Sequence, residues 1–186
     1  AEPCLITGGS GISGATSGTI IIQCASTHSG AWYAQSSTRG IREAMLKAPD
    51  SSTILMPTGR FEIDRLVVDR GQSVQGQSTS GTVLAPLVGA GNYLISVSNL
   101  TPSSAAGQAI GNFTIDLSGF SLSAVNVRNF NYSRIHDILI LKGINGIVLD
   151  GATPGYPSVV NSTLERLHLL NQSNNAFDVD GNACWS

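Results

Sequence analysis

The fold of this chain is decided by residues 53–84, TILMPTGRFEIDRLVVDRGQSVQGQSTSGTVL. Apolar runs of about 3–5 residues alternate there with Gly, Pro and polar residues. Runs of this length are too short for helices and fit β-strands. An amphipathic helix precedes the segment and further short apolar runs follow it. This order predicts an all-β chain wound as a right-handed parallel β-helix, with a short capping helix at its N-terminal end.

Residues 38–48, TRGIREAMLKA, form the only convincing helix in the sequence. Counted from Ile41, apolar side chains recur at i, i+3, i+4 and i+7, which places them on one stripe of the helix. Thr38 can cap the N-terminus, and Pro49 ends the helix. The charged side chains, Arg42 among them, then face solvent. Because the first coil of a solenoid exposes an apolar end, we expect this helix to cover it.

The later part of the chain repeats a common pattern. Residues 113–115 match residues 138–140 at a shift of about 25, and these match residues 167–169 at about 29. A repeat in this range is the length of one coil. Since alternate residues of a strand point to opposite faces, the apolar members lie in the core. His136 and His168 then lie on the outer face, where a ligand would bind.

Charged residues are sparse. They make up 12% of the chain, against about 25% in a typical soluble domain, and the formal net charge is −2. Because Lys and Arg form no run, we expect no binding of nucleic acid or of an anionic membrane surface. No apolar run approaches the roughly 20 residues that span a bilayer, so we also expect no membrane insertion.

Two regions are predicted, a Gly/Ser-rich arm at residues 1–37 and the helix with its coils at residues 38–186. The arm contains one predicted strand, residues 19–24. Trp32 and Tyr33 at the end of the arm are candidate substrate-binding residues. The competing interpretation is packing, the commoner role of aromatic side chains beside a helix start.

The three cysteines, Cys4, Cys24 and Cys184, cannot all pair within one chain. A Cys4–Cys24 disulfide and three free thiols both remain open. The spacing of the cysteines matches no zinc motif, and the glycine-rich N-terminal segment has no phosphate-loop Lys-Ser/Thr after it. The sequence therefore predicts no metal and no cofactor.

Two pairs of side chains are candidate catalytic residues. Hydrolysis of a glycosidic bond uses two carboxylates about 5–9 Å apart, and lyase chemistry uses a base. The repeat places His136 beside Glu165 in adjacent coils, about 4.8 Å apart, where an ordinary surface hydrogen bond is the alternative. Asp178 and Asp180 share one strand face, where the alternative is a solvent-facing edge beside a Gly turn.

The order of these elements resembles the N-terminal part of the pectate-lyase-like β-helix superfamily, which includes bacteriophage tailspikes and polysaccharide depolymerases. The resemblance covers residues 38–90 and rests on GIREAML (40–46), MPTGRF (56–61) and VQGQ (74–77). The acidic segment that often precedes the helix in that superfamily is missing, since the chain reads STHSGAWYAQSS there.

The resemblance implies a protein that binds a surface polysaccharide and, where it is catalytic, cleaves it as a hydrolase or lyase. It also implies a homotrimer located at a virion surface or outside the cell. Because a fold does not fix a function, two other classes remain. One is a non-catalytic structural or adhesion module of a virion appendage, which the scarcity of paired carboxylates favours. The other is a secreted pectinase-like enzyme, which five Asn-x-Ser/Thr triplets favour.

Overall fold

The computed structural model describes residues 5–10, 19–23, 38–87, 91–98, 107–151, 159–181 and 184–185. The chain divides into two compact units, Ala1–Ala34 and Gln35–Ser186. In the first unit, β1 (Leu5–Ser10) pairs with β2 (Thr19–Gln23) in antiparallel orientation. The strand predicted at residues 19–24 is therefore confirmed. The cysteine pair of the predicted disulfide and the two candidate aromatic residues of the arm lie outside the described residues: Cys4, Cys24, Trp32 and Tyr33.

The second unit contains one helix, α1 (Ile41–Lys47), and three parallel sheets among its described residues. Seven strands form the first sheet: β3 (Thr53–Met56), β4 (Gly59–Ile63), β6 (Ser73–Gly76), β7 (Thr82–Pro86), β9 (Ala109–Asp116), β12 (Arg134–Leu141) and β15 (Thr163–Leu170). Five strands form the second sheet: β5 (Leu66–Val68), β8 (Tyr93–Ser98), β10 (Ser123–Arg128), β13 (Ile147–Gly151) and β16 (Phe177–Gly181). Three short strands form the third sheet: β11 (Phe130–Asn131), β14 (Val159–Val160) and β17 (Cys184–Trp185).

The chain visits these sheets in a fixed order. From β9 onward it passes through the seven-, five- and three-stranded sheets three times, as β9–β10–β11, then β12–β13–β14, then β15–β16–β17. We call each of these a passage. Every new strand pairs in parallel with its counterpart from the passage before. The predicted all-β class is therefore confirmed as a mostly β chain with parallel sheets and one short helix.

The repeat read from the sequence is confirmed in the register of the seven-stranded sheet. Ile138 on β12 lies beside Phe113 on β9, a shift of 25 residues. The same Ile138 lies beside Leu167 on β15, a shift of 29 residues. The pattern of apolar residues thus sets the register, because slipping a strand by one residue would turn its buried side chains towards the outside.

A row of apolar side chains shows where the core ends. Along the five-stranded sheet, Ile95, Val125 and Ile147 are register neighbours and each is fully buried. The next member of this row, Phe177 on the outermost strand β16, is 46% exposed. Its neighbour Val179 is 57% exposed. The row therefore continues beyond the packed core to an uncovered strand.

The helix α1 packs on β3 and β5, the outermost strands at the other end of the two larger sheets. It is shorter than the predicted 38–48, because Gly40 takes the N-cap position in a left-handed conformation. The prediction that Thr38 is the N-cap is therefore wrong, although its Oγ1 still accepts a hydrogen bond from the backbone N–H of Arg42 at 3.2 Å. Ile41 and Met45 are buried, as the apolar stripe predicts.

The prediction that Arg42 faces solvent is wrong. Its guanidinium donates to the backbone oxygen of Val67 at 2.7 Å and makes two hydrogen bonds, of 2.9 and 2.8 Å, with the carboxylate of Asp69. The contact with Asp69 raises the pKa of Arg42, chiefly through the hydrogen bonds that Arg42 donates to the carboxylate. Arg42 therefore binds α1 to β5 through Val67 and to the following residue, Asp69, through a bidentate ion pair. These contacts add to the apolar packing of the helix.

A bulge runs through three adjacent strands. Asn112 on β9, Asp137 on β12 and Arg166 on β15 have positive φ angles of 60°, 51° and 50°. The pairing skips each of them and resumes one residue later. As a result Ile135 and Ile138 are both fully buried although they are three residues apart. Strict alternation fails at this bulge.

Candidate functional site

The four side chains predicted to be catalytic lie in two different sheets. His136 on β12 lies beside Glu165 on β15, in the register that the sequence predicts. Asp178 and Asp180 lie on β16 of the five-stranded sheet. The side chain of Asp180 is outside the described part of the chain. The structure therefore brings His136 and Glu165 together, but it does not bring them to the aspartates.

The prediction that His136 faces solvent is wrong, because its relative exposure is only 3%. The loop that follows β6 lies over the same part of the sheet. Thr79 in this loop reaches over two strands: its Oγ1 donates to the backbone oxygen of Asp137 at 3.1 Å, and its backbone oxygen accepts from Thr114 Oγ1 at 2.7 Å. The outer face of the sheet is therefore covered at this point, which strand alternation alone cannot reveal.

The neighbour of the buried histidine, Asp137, is held by two partners. Arg166 Nε donates to its Oδ1 at 2.6 Å and Arg166 Nη2 to its Oδ2 at 2.8 Å. His136 Nδ1 lies 2.7 Å from the same Oδ2. The hydrogen bonds from Arg166, and then from His136, hold the pKa of Asp137 far below its usual range. Asp137 is therefore ionised at neutral pH and cannot act as a proton donor.

Glu165 is also engaged by arginines. Its two carboxylate oxygens lie 3.2 Å from Arg134 Nε and 3.1 Å from Arg166 Nη1. His136 makes its contact with Asp137 and not with Glu165, so the predicted acid–base pair is adjacent in register but not joined by a hydrogen bond. A charged network of two carboxylates and two arginines occupies this face instead.

Asp178 lies at a different place on the surface. It is half-buried, and the side-chain amide of Asn145 donates to its Oδ2 at 3.2 Å. In register, Asp180 is the neighbour of Asp150, which is buried and forms an ion pair with Arg128. The repeat of the Asp-Gly ends of β13 and β16 that the sequence shows is thus present in the structure.

A groove that the sequence reasoning missed lies where the strands of the seven-stranded sheet end. It has a volume of about 430 Å³ and is open to solvent. Three successive turns line it, residues 117–121, 142–144 and 171–173. Phe120 is half-buried there, while Lys142 and Asn171 are exposed. None of the ion pairs among the described residues involves Lys142.

The groove contains a row of equivalent positions. Leu117, Lys142 and Asn171 each follow the last paired residue of their strands, β9, β12 and β15. Lys142 and Asn171 share the left-handed conformation, with φ angles of 62° and 63°. Extending the sequence alignment two residues past Ile140 into the turn would have placed these residues together. The repeat alignment therefore contained this information. It was overlooked because turn residues do not follow the alternation of apolar residues that marks the strands.

Among the described residues, no group of three or more His, Cys, Asp or Glu side chains is arranged to hold a metal ion. Within the same part of the chain, no helix is both long enough and apolar enough to cross a membrane.

No protein-family model, curated protein or solved structure matches this chain. The chemistry of its surface must therefore be inferred from its own residues.

Proposed function

We propose that residues 38–186 form a right-handed parallel β-helix that binds a surface polysaccharide. Support for the β-helix comes from the fixed order in which the chain visits its three parallel sheets, with each passage laid on the one before. In this proposal each passage is one coil, and α1 covers the first coil. The resemblance of residues 38–90 to phage tailspikes favours a homotrimer at a virion surface or outside the cell.

The open groove is the observation that carries the proposal of binding. It crosses three turns, so its length along the stack is about 10 Å, two strand spacings of roughly 4.8 Å. An extended sugar chain laid along the stack would meet one turn after another. Phe120 offers an apolar surface, Asn171 and Ser173 offer hydrogen bonds, and Lys142 offers a charge. An apolar lining with a few polar groups is the usual composition of a ligand site.

The charges of the candidate catalytic residues favour binding over cleavage. A glycosidase needs one carboxylic acid that is protonated near neutral pH. Asp137 is held ionised by Arg166, and both carboxylate oxygens of Glu165 are engaged in ion pairs with Arg134 and Arg166. His136 is too deeply buried to reach a sugar. We therefore propose a binding protein rather than a glycoside hydrolase.

The test is titration of the protein with a panel of neutral and acidic bacterial capsular polysaccharides. Binding is followed by calorimetry, and reducing ends are measured in the same samples. We expect saturable binding of at least one polysaccharide without release of reducing ends. Glu165→Gln and Asp178→Asn should bind like the wild type. Absence of binding across the panel would overturn the proposal, and cleavage that these two substitutions abolish would restore the carboxylates as catalytic residues.

A second candidate function is that of a structural module of a larger appendage. The observation that favours it is that the apolar side chains of Phe177 and Val179, on the outermost strand β16, are 46% and 57% exposed. Monomeric proteins rarely leave apolar strand ends in this state, because an uncovered strand edge pairs readily with another chain. We propose that another copy of this chain covers the row. The solution mass tests this, and a monomer at all concentrations would exclude it.

A further inference from the structure

Tyr132, between β11 and β12, combines two unusual properties. Its φ angle is 48°, in the left-handed region that bulky residues rarely adopt. Its relative exposure is 66%, so most of the ring is in contact with solvent. The side chain therefore gains little packing from the position, although the backbone there is strained.

The equivalent positions in the neighbouring passages show which residues suit this backbone. Gly107, Tyr132 and Asn161 each stand two residues before the first paired residue of β9, β12 and β15. All three are left-handed, with φ angles of 81°, 48° and 48°. The backbone N–H of Gly107 donates to the carbonyl oxygen of Tyr132 at 3.1 Å, which ties two of the turns together. Glycine and asparagine adopt this conformation at low cost, whereas tyrosine does not.

Stability therefore does not explain the tyrosine, since an asparagine would suit the backbone better and a 66% exposed ring adds little to the core. Residues that are kept in a strained conformation cluster at ligand-binding positions. The adjacent residues supply polar groups: the exposed Asn161 lies one strand spacing away, about 4.8 Å, and the side chain of Arg134 is 48% exposed two residues further on.

We propose that Tyr132 is an aromatic platform on which one ring of the bound sugar chain stacks, with the Asn161 amide beside it to hydrogen-bond a sugar hydroxyl. The apolar C–H face of a pyranose matches the face of the tyrosine ring, and the amide can both donate and accept. This contact lies at the opposite end of β12 from the groove at Lys142, roughly 30 Å away along the strand, so it takes a different segment of the sugar chain from the one in the groove. The inference rests on the proposed polysaccharide binding and adds a second point of contact to it.

The test compares Tyr132→Asn with Tyr132→Phe in the full chain. The probes are cellohexaose, maltohexaose and hexagalacturonate, titrated by calorimetry, and the melting temperature is measured for each variant. In Tyr132→Asn we expect affinity for the bound hexasaccharide to fall about fivefold. We expect the melting temperature of the same variant to rise by about 2–4 °C, because the strain is relieved. Tyr132→Phe keeps the ring and should match the wild type in both measurements.

A further control is Leu55→Thr, which removes an exposed apolar side chain from β3 at a distance from Tyr132 in the sheet order. It should leave the affinity unchanged. If the wild type binds a hexasaccharide and Tyr132→Asn binds it equally well, the platform is wrong while the proposed function stands. If the wild type binds none of the probes, the platform fails, whereas the proposed function is decided by the panel of capsular polysaccharides. A fall in both affinity and melting temperature would assign Tyr132 a structural role and overturn the inference.

Discussion

Arg166 holds the carboxylate of Asp137 with two hydrogen bonds of 2.6 and 2.8 Å, and the two residues occupy the same left-handed bulge position on adjacent strands. A paired guanidinium and carboxylate in this planar arrangement is stronger than an ordinary surface ion pair. Because neither residue takes part in the regular pairing, this contact joins β12 to β15 where their backbone ladder is interrupted. The same contact occupies the carboxylate of Asp137, the group on which a catalytic role for this face of the seven-stranded sheet would depend.

Replacing Asp137 by Asn should lower the melting temperature at pH 7 by roughly 2–4 °C, because the ion pair is lost. Asparagine tolerates the left-handed conformation and already occupies this row as Asn112, so the backbone should not change. The folded-state pKa of Asp137 lies below its unfolded value of about 3.9, so its contribution is complete above that value and is lost as the pH falls. The difference between wild type and variant should therefore be constant from about pH 7 to 5 and shrink below about pH 4.

The control for this substitution is Glu62→Gln, which removes a longer and more exposed contact with Arg39 at 3.5 Å. Its melting temperature should stay within about 1 °C of wild type at every pH. A difference between Asp137→Asn and wild type that does not change between pH 7 and 2 would show that the carboxylate charge is not what stabilises the protein.

Gly111 on β9 should not accept a side chain. A Cβ atom there would lie 1.9 Å from the backbone oxygen of His136, and both groups belong to paired strands that cannot separate without breaking the ladder. We expect Gly111→Ala to lower the melting temperature by about 6–12 °C, the equivalent of roughly 3 kcal/mol. Gly91→Ala is the matched control, since no atom lies within 4 Å of its Cβ position. Equal stability of the two variants would contradict the close approach of β9 and β12.

Lys142 should contribute to affinity for an acidic polysaccharide if the groove binds one. We expect Lys142→Asn to weaken that binding about two- to fivefold, while Lys142→Arg retains it. Asparagine is the residue of the next turn in the same row, at Asn171, and it suits the left-handed backbone, so the stability of Lys142→Asn should not decrease. Calorimetric titration at low and high salt checks this, because the contribution of the charge should fade as ionic strength rises. Unchanged affinity at low salt would remove Lys142 from the binding surface.

Phe177 tests the second candidate function. If another copy of this chain packs on the exposed side chains of Phe177 and Val179, Phe177→Ser should shift the protein towards monomer in sedimentation measurements at high concentration. Its effect on the melting temperature of the monomer should be small, since the side chain is already 46% exposed. Ile147→Ser changes the fully buried neighbour in the same row and should cost about 3 kcal/mol or more, because it leaves a cavity and a buried hydroxyl. Identical masses for wild type and Phe177→Ser at all concentrations would exclude the row as an interface between copies.

The parts of the fold that depend on apolar periodicity could be predicted from the sequence. The helix at Ile41–Lys47 and the pairing of Ile138 with Phe113 and Leu167 follow from it directly. The role of Arg42 could not be predicted in this way, because its partner Asp69 is 27 residues away and no local pattern links the two.

The candidate site was predicted less well. His136 and Glu165 are neighbours in register, as the repeat indicates, but strand alternation does not reveal that His136 is buried. It also does not reveal that Thr79 contacts Asp137, which is 58 residues away in the chain. The groove and Tyr132 were missed because they lie in turns. Their significance comes from backbone conformation and exposure, and neither quantity is visible in a pattern of apolar residues.

The row of Leu117, Lys142 and Asn171 has a consequence for how such a surface can diversify. Each turn supplies one member of the row, and none of the three helps to set the register of the strands before it. Lys142 and Asn171 are exposed, so mutation can exchange either of them while the interior stays as it is, whereas Leu117 is fully buried and belongs to the core. A lineage or a protein engineer could retune the chemistry of this surface step by step, without rebuilding the scaffold that carries it.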